Sequence, residues 1–399
     1  MSPRRLRTLE DLGDLFSTTV LVRCDLNVPM EEGRITDDLR IRASAPTLRE
    51  LLDRGATLVV CSHLGRPRGR VVDELRLDPV AAALGEALGS TVRKVDDVVG
   101  PEAKRAVMAA SAGSVTLLEN LRFDPREEQN DPGFADELAS LAEAYVNDAF
   151  GAAHRAHASV VGVPRRLPSA AGRLMQREVE VLSRLLEGPD EPFVAILGGA
   201  KVADKLGTVN ALVQRVDALL VGGAMAFSFL AAAGGEVGRS LVEPDRFDDI
   251  RRAVKAAEER GVLVQLPEDV VAAPEASLEA KRQTVPSDAI PRDLMGLDIG
   301  PRTVEEFART IADARTILWN GPMGMFELEP FSAGTRGVAH AVAGATAFSV
   351  LGGGDSLAAL RKFGLLDSID HLSTGGGASL EFLEGRELPG IAVLMVEEA

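Results

Sequence analysis

The chain reads as an α/β protein made of two doubly wound, parallel-sheet (Rossmann-like) domains. Three observations carry that class. Short apolar runs, each followed by a loop and a helix-like segment, alternate along all 399 residues, the pattern of parallel strands joined by crossover helices. The runs change character midway: those of the first half end in arginine, histidine, asparagine or aspartate, and those of the second half end in glycine. Between the halves lies an amphipathic segment, LPSAAGRLMQREVEVLSRLLEGPDEP.

The first-half runs are TVLVRCDLNVP, ATLVVCSHLGRP, VTLLENLRF and AYVNDAFGAAHRAHAS. The second-half runs are FVAILGGAK, ALLVGGAM, TILWNGPMG, AFSVLGGGDS and LSTGGGAS. A short apolar run closed by turn residues marks a buried strand. In the connecting segment Leu174, Val181, Leu182 and Leu185 recur at helical spacing and Gly188-Pro189 closes it. A helix over 171–188 is therefore expected to join a domain of residues 1–170 to one of 189–385. Ala218 to Gly235 has no charge over eighteen residues, close to the shortest length that spans a bilayer. The Gly222-Gly223 pair divides it, so a strand, a turn and a buried helix are expected instead.

Forty-four basic against sixty acidic side chains give a net charge of −16. That balance argues against nucleic acid or an anionic membrane as a partner, and any anionic ligand must be held by a local cluster. Cys24 and Cys61, the two cysteines, lie in strand-like runs and read as reduced core residues. The N-terminal MSPRRLRTLEDLGDLF has a basic start with no apolar stretch behind it, which does not read as a secretory signal and leaves a cytoplasmic location as the expectation. The five histidines are dispersed, and His154 and His157 have no acidic third ligand nearby in sequence, so no histidine metal site is expected. Nucleophile signatures of the G-x-S-x-G or Cys-His kind do not occur, which points to positioning and charge stabilisation.

Ligands of doubly wound sheets sit outside the carboxyl ends of the strands, so the residues just after each apolar run are the candidates. The first half places Arg23, Arg40, Arg66, Arg122 and Arg155 there with Asp25, Asn27 and His63. A guanidinium offers two parallel bonds to a phosphate or carboxylate and stays charged, so this set suits a small polyanion. The second half offers glycine turns, whose main-chain N–H groups can approach an anion at a helix start, and a nucleotide groove is expected.

In AILGGAKVADKLG, Ala195 to Gly207, the helix is expected to open at the glycines. Val202, Leu206, Val209, Val213 and Val216 would face the core, with Lys201 and Lys205 four residues apart on a neighbouring face. This is not the G-x-x-x-x-G-K-[ST] loop. LGGGDS, Leu351 to Ser356, lacks G-x-G-x-x-G spacing; taken alone, Asp355 reads as a helix N-cap, and beside polyphosphate oxygens it would be the single protein ligand of a hydrated Mg²⁺.

Together VRCDLNVPM, RITDDLRIRASAPTL, SHLGRP, LLENLRF, NDAFGAAHRAHAS, ILGGAKVADK, GGAMAFSFL, DIGP, WNGPMGMFE, GGGDS and STGGGASLEFLEG resemble the phosphoglycerate kinase family from end to end. Ala152, where the family pattern has Thr, and Cys24 are small departures. The resemblance implies two similar-sized domains joined by a hinge helix, with residues 386–399 returning to the first. It implies reversible phosphoryl transfer between 1,3-bisphosphoglycerate and ADP, completed by domain closure, in a cytoplasmic monomer that uses Mg²⁺. By the matching motifs, the 3-phosphoglycerate site would comprise Asp25, Asn27, Arg40, His63, Leu64, Gly65, Arg66, Arg122 and Arg155, with Arg23 supporting the first loop. The nucleotide site would comprise Lys201, Lys205, Gly223, Gly296, Asn320, Glu327 on the ribose, Gly353, Gly354, Asp355 on Mg²⁺, and Ser356. Arg40, Lys201 and Lys205 would stabilise the transferred charge, and Gly375, Gly376 and Gly377 would face it from a helix N-terminus.

Two other classes predict different sequence features. A dinucleotide-dependent dehydrogenase would share the sheets but need a G-x-G-x-x-G followed by an acid, which is missing. A non-catalytic phosphosugar-binding module would keep the arginines and need neither the lysine pair nor the glycine turns.

Overall fold

The computed structural model of the chain describes residues 4–397. It divides into two compact units, residues up to Glu180 together with those from Glu387 onward, and Val181–Arg386.

The first unit is built on a six-stranded parallel sheet in the order Val92–Lys94, Val115–Leu117, Thr57–Cys61, Thr19–Cys24, Ala144–Asp148, Ser169–Ala171. Both faces are covered, which is why its central strands are apolar without alternation. Val20, Val22, Leu58 and Val60 pack with Ile41, Leu48, Val80 and Leu84 of the helices Leu39–Asp53 and Asp78–Leu88. Leu21 and Val59 point the other way, onto Ala103 and Ala106 of Pro101–Met108 and Phe134 and Leu138 of Pro132–Ala139. The two cysteines are buried and free, on opposite faces, and burial pushes the Cys61 thiol up to about 12. The outermost strands, VRK and SAA, are three residues each and too short to have shown in the apolar pattern. The segment after Arg386 returns here: Met395–Glu397 pairs antiparallel with Arg4–Leu6, and Gly390 N–H donates to Ala153 O. Residues 398 and 399 of the expected return lie outside the described residues.

The helix Arg173–Glu187 carries the division between the units. Its start is set by Asp148 at the end of Ala144–Asp148, whose carboxylate accepts the Leu174 and Met175 N–H groups, two of the donors a helix start leaves unpaired. Met175, Val181, Leu182 and Leu185 are its buried apolar residues, and Leu174 is half-exposed. The buried face is thus led by Met175 in place of the expected Leu174.

The second unit has a parallel sheet in the order Leu263–Gln265, Ala218–Val221, Phe193–Leu197, Thr316–Asn320, Phe348–Gly352, His371–Leu372. In chain order that is 3-2-1-4-5-6, the winding of dinucleotide-binding sheets, with its crevice where the order reverses between Phe193–Leu197 and Thr316–Asn320. A separate antiparallel sheet of Gln283–Pro286, Asp269–Ala273 and Met295–Ile299, unforeseen in the apolar pattern, lies alongside. The uncharged stretch near residue 220 resolves into the strand Ala218–Val221, a turn and the buried helix Met225–Ala232. Among the described residues no helix is long and apolar enough to cross a membrane.

Candidate active site

In the first unit Asp25, Asn27, Arg40, His63 and Arg122 gather where Thr19–Cys24, Thr57–Cys61 and Val115–Leu117 end. Arg40, in the first turn of Leu39–Asp53, donates through Nη1 to Asp25 Oδ2 at 3.0 Å and to Asn27 O at 3.2 Å. Asn27 Oδ1 accepts Gly65 N–H at 2.8 Å, and Gly65 O accepts Arg122 Nη1 at 2.8 Å. The two strand-end loops are therefore laced to the LLENLRF turn. Leu64 is buried with both backbone groups bonded to the Asn120 side chain, so it braces the loop.

Arg23 is fully buried, with Nη1 donating to Cys24 O where that loop begins and Nη2 3.0 Å from His63 Nδ1. Burial, then the charges of Arg23, Arg122 and Arg40, hold the His63 imidazole well below its usual range, so it is neutral. His157 is lowered to about 3 by burial and then Arg122, Arg23 and Arg155. Arg155 also acts on Arg122, whose own pKa burial lowers. The side chains of Arg66, exposed, and Arg155, half-buried, have no hydrogen-bond or ion-pair partner among the described residues. In so acidic a chain, cations without counter-ions beside a cation cluster are suited to a ligand that brings the negative charge.

In the second unit two adjoining cavities open at the crevice. One, about 350 Å³, is mostly apolar, lined by Phe227, Leu241, Val270, Met295 and Gly296, with Glu327 at its edge. The other, about 310 Å³, is lined by Lys201, Lys205, Asn320, Gly353, Gly354 and Ser356. They share Gly199, Ala200, Pro322 and Asp355. Glycine is required at two walls. At Gly223, with φ +64°, an added Cβ would stand 2.5 Å from Gly199 N, and at Gly296 it would run into the Phe227 ring.

Lys205 spans the point where the strand order reverses. Its Nζ donates to Gly198 O at 2.6 Å and Asn320 O at 2.8 Å, and burial lowers it to about 8 against the pull of Asp355 and Asp204. Ser356 is buried, and its hydroxyl accepts Gly321 N–H at 2.6 Å.

A match to the family model described as "Phosphoglycerate kinase" covers residues 9–386. The chain belongs to the phosphoglycerate kinase family. It is 58% identical over 392 residues to the phosphoglycerate kinase of Thermomicrobium roseum, covering 98% of this chain and 100% of that one. To that of Rubrobacter xylanophilus it is 56% identical over 398 residues, covering 100% of each chain. The phosphoglycerate kinase structure from Coxiella burnetii superposes with a TM-score of 0.87 at 42% identity, covering 98% and 99% of the two chains. That from Pyrococcus horikoshii gives 0.87 at 36% identity, covering 98% of each. The chain is a glycolytic phosphotransferase acting on the carboxyl group of 3-phosphoglycerate.

Several expectations for this phosphoglycerate kinase need correction. The helix after Gly198-Gly199 does not open at the lysine pair: it spans Leu206–Leu212, Lys205 is its N-cap and Lys201 lies in the preceding loop. That loop is held open because the Glu243 carboxylate accepts the Val202 and Ala203 N–H groups at 2.7 and 3.1 Å. Val213 and Val216 are buried beyond the helix end. Asp355 does not cap its helix; Gly353 takes that position in Gly354–Phe363, and Asp355 is exposed in the first turn. Gly375, Gly376 and Gly377 do stand at a helix N-terminus as expected, that of Gly377–Leu383, one strand further out than Gly354–Phe363 and not in the lining of these two cavities.

Three contributors lay outside the sequence reading. Asn120 sits in a motif the strand-end rule had marked. Asp298 opens the DIGP motif that carries part of the resemblance, whereas Glu243 carried no signal, since it follows no second-half glycine run. Asp298 is pushed up to about 7 by burial while accepting Gly334 and Ile299 N–H, and it lines the apolar cavity.

Proposed function

We propose that the first unit holds 3-phosphoglycerate and the second holds ATP or ADP, the base in the apolar cavity and the phosphates in the lysine-lined one. The observation that carries this is the adjacency of those two cavities: an apolar slot of about 350 Å³ shares Gly199, Ala200, Pro322 and Asp355 with a cation-lined cradle. Gly296 and Gly223 would admit the base, Glu327 the ribose, and Asn320, Gly353, Gly354 and Ser356 the phosphates. Arg66, Arg122 and Arg155 would take the phosphate of 3-phosphoglycerate, and Asp25, Asn27, Arg40 and His63 its other end.

Asp355, an exposed carboxylate at the junction of both cavities, suits a Mg²⁺ that keeps most of its waters. When bound, that ion neutralises charge on the phosphate oxygens. Arg40, Lys201 and Lys205 would add fixed positive charge where the transferred group is most negative. No strong base is needed, because the attacking carboxylate or ADP oxygen is already ionised. Bending at the helix Arg173–Glu187 would bring donor and acceptor together, with Gly375 and Gly376 facing the transferred group. The enzyme would act as a cytoplasmic monomer.

A coupled assay tests the roles. With Mg²⁺, ATP and 3-phosphoglycerate the protein should form ADP, and removing Mg²⁺ with chelator should abolish it. Full turnover in D355A would refute the assignment of the metal to Asp355.

A further inference from the structure

The cation cluster of the first unit rests on a buried acid that no strand-end motif marks. Glu127, in the short helix Pro125–Glu128, is completely buried. Both its carboxylate oxygens engage one residue: Oε2 accepts Ser159 N–H at 2.9 Å, and Oε1 accepts the Ser159 hydroxyl at 2.6 Å. Its proton committed to Glu127, Ser159 Oγ accepts Arg23 Nε–H at 3.0 Å. Arg23 in turn points Nη2 at His63 Nδ1, 3.0 Å away. A guanidinium has donors and no acceptor, so His63 Nδ1 must be the accepting nitrogen, and a neutral imidazole that accepts there carries its proton on Nε2.

The rest of the surroundings hold this chain of bonds in place. The Tyr145 hydroxyl donates to Ser159 O at 2.6 Å, so Ser159 is fixed through all its polar atoms. The charged and titratable groups acting on His63 are Arg23 from Thr19–Cys24, Arg40 from Leu39–Asp53, Arg122 from the turn Leu121–Phe123 and His157.

We propose that Glu127 is a positioning residue for the phosphoryl-transfer reaction: through Ser159 it orients Arg23, and Arg23 locks His63 as the Nε2–H tautomer that donates to the acidic substrate. This rests on the assignment of His63 to the 3-phosphoglycerate site. Glu127 touches no substrate. Replacing it with glutamine keeps an acceptor for the Ser159 N–H but sets an amide donor opposite the Ser159 hydroxyl, whose proton must then turn away from residue 127 and compete with the Arg23 Nε–H for its place. His63 Nδ1 then loses its fixed partner.

Nitrogen NMR of the His63 ring in the full chain, assigned with H63Q, tests this alongside kinetics. Wild-type protein should show an unprotonated Nδ1 and a protonated Nε2 across neutral pH. E127Q and S159A should give mixed tautomers and raise KM for 3-phosphoglycerate about tenfold, with KM for ATP within about twofold of wild type. A protonated Nδ1 in wild type overturns the proposal, as does a tautomer and KM unchanged in both variants. If the tautomers shift as expected while H63Q leaves KM for 3-phosphoglycerate unchanged, the relay stands and the substrate assignment of His63 falls. Should neither variant fold, the wild-type tautomer decides.

Discussion

The two units use one architecture and opposite chemistry. Each is built on a parallel sheet, and the ligand residues proposed for it lie mostly beyond the carboxyl ends of the strands. The first would answer a small anion with side chains: Arg40, Arg122 and His63, themselves tied to Asp25 and Asn27 and, through Arg23 and Ser159, to buried Glu127. The second relies on backbone, with glycine turns drawn together by Lys205 and an apolar slot beside them. The difference follows from the ligands proposed for them. A three-carbon phosphate has little surface to bury, so recognition must come from directed charge, whereas a nucleotide offers a base large enough to be held by shape.

The sharpest way to break the comparison is at Lys205, a cation that bridges the ends of Phe193–Leu197 and Thr316–Asn320. K205M should lower kcat by about 10³-fold, the scale of losing a fixed charge at a transferring phosphoryl group. 3-Phosphoglycerate binding should be largely kept, and near wild-type turnover would remove Lys205 from the mechanism. In the first unit, R66A or R155A should raise the dissociation constant for 3-phosphoglycerate roughly 10- to 100-fold, the worth of a charge-assisted bond, with ADP affinity nearly intact. Equal loss of both would contradict the division into two sites.

A smaller effect sharpens the second unit. In the free protein Lys205 sits at about 8 because burial opposes its charge. Bound phosphates would favour the charged form, so ADP binding near pH 8 should take up protons, and affinity should fall as pH rises above about 8. Calorimetry in buffers of different ionisation enthalpy measures that uptake; none, with affinity flat to pH 9, would show that Lys205 does not meet the phosphates.

The smallest concerns the connecting helix. Burial pushes Asp148 up to about 7, opposed by Thr47 and the two helix amides. An unfolded aspartate titrates near ~3.9, so between those values the folded chain binds a proton that the unfolded chain does not. The associated stability is fully present below about pH 4 and is lost as pH rises through 7. The gap in urea midpoint between D148N and wild type should therefore move in favour of D148N from pH 5 to pH 8. A constant gap would count against this reading of Asp148.

Much of the fold and many candidate residues were legible because strand cores and the residues that follow them are local features. Asp25, Asn27, His63 and Gly223 are visible as soon as the runs are aligned by their ends. What was not legible is long-range. Glu127 sits in PREEQND, which looks like a solvated acid run, and its burial against Ser159 depends on a segment thirty-two residues away. The loop before Leu206 has helical spacing, yet Glu243 captures its amides from forty-one residues on. The antiparallel sheet that bears Gly296 has no periodicity to separate it from the parallel strands around it.

Hydrogen–deuterium exchange with each ligand alone tests the two-site account most directly. 3-Phosphoglycerate should slow exchange in the loops after Cys24 and Cys61 and around Arg122, leaving the glycine turns at 198–199, 222–223 and 353–354 as in the free protein. MgADP should protect those turns and leave the arginine loops unchanged. Protection of the glycine turns by 3-phosphoglycerate, with the arginine loops unaffected, would contradict the account.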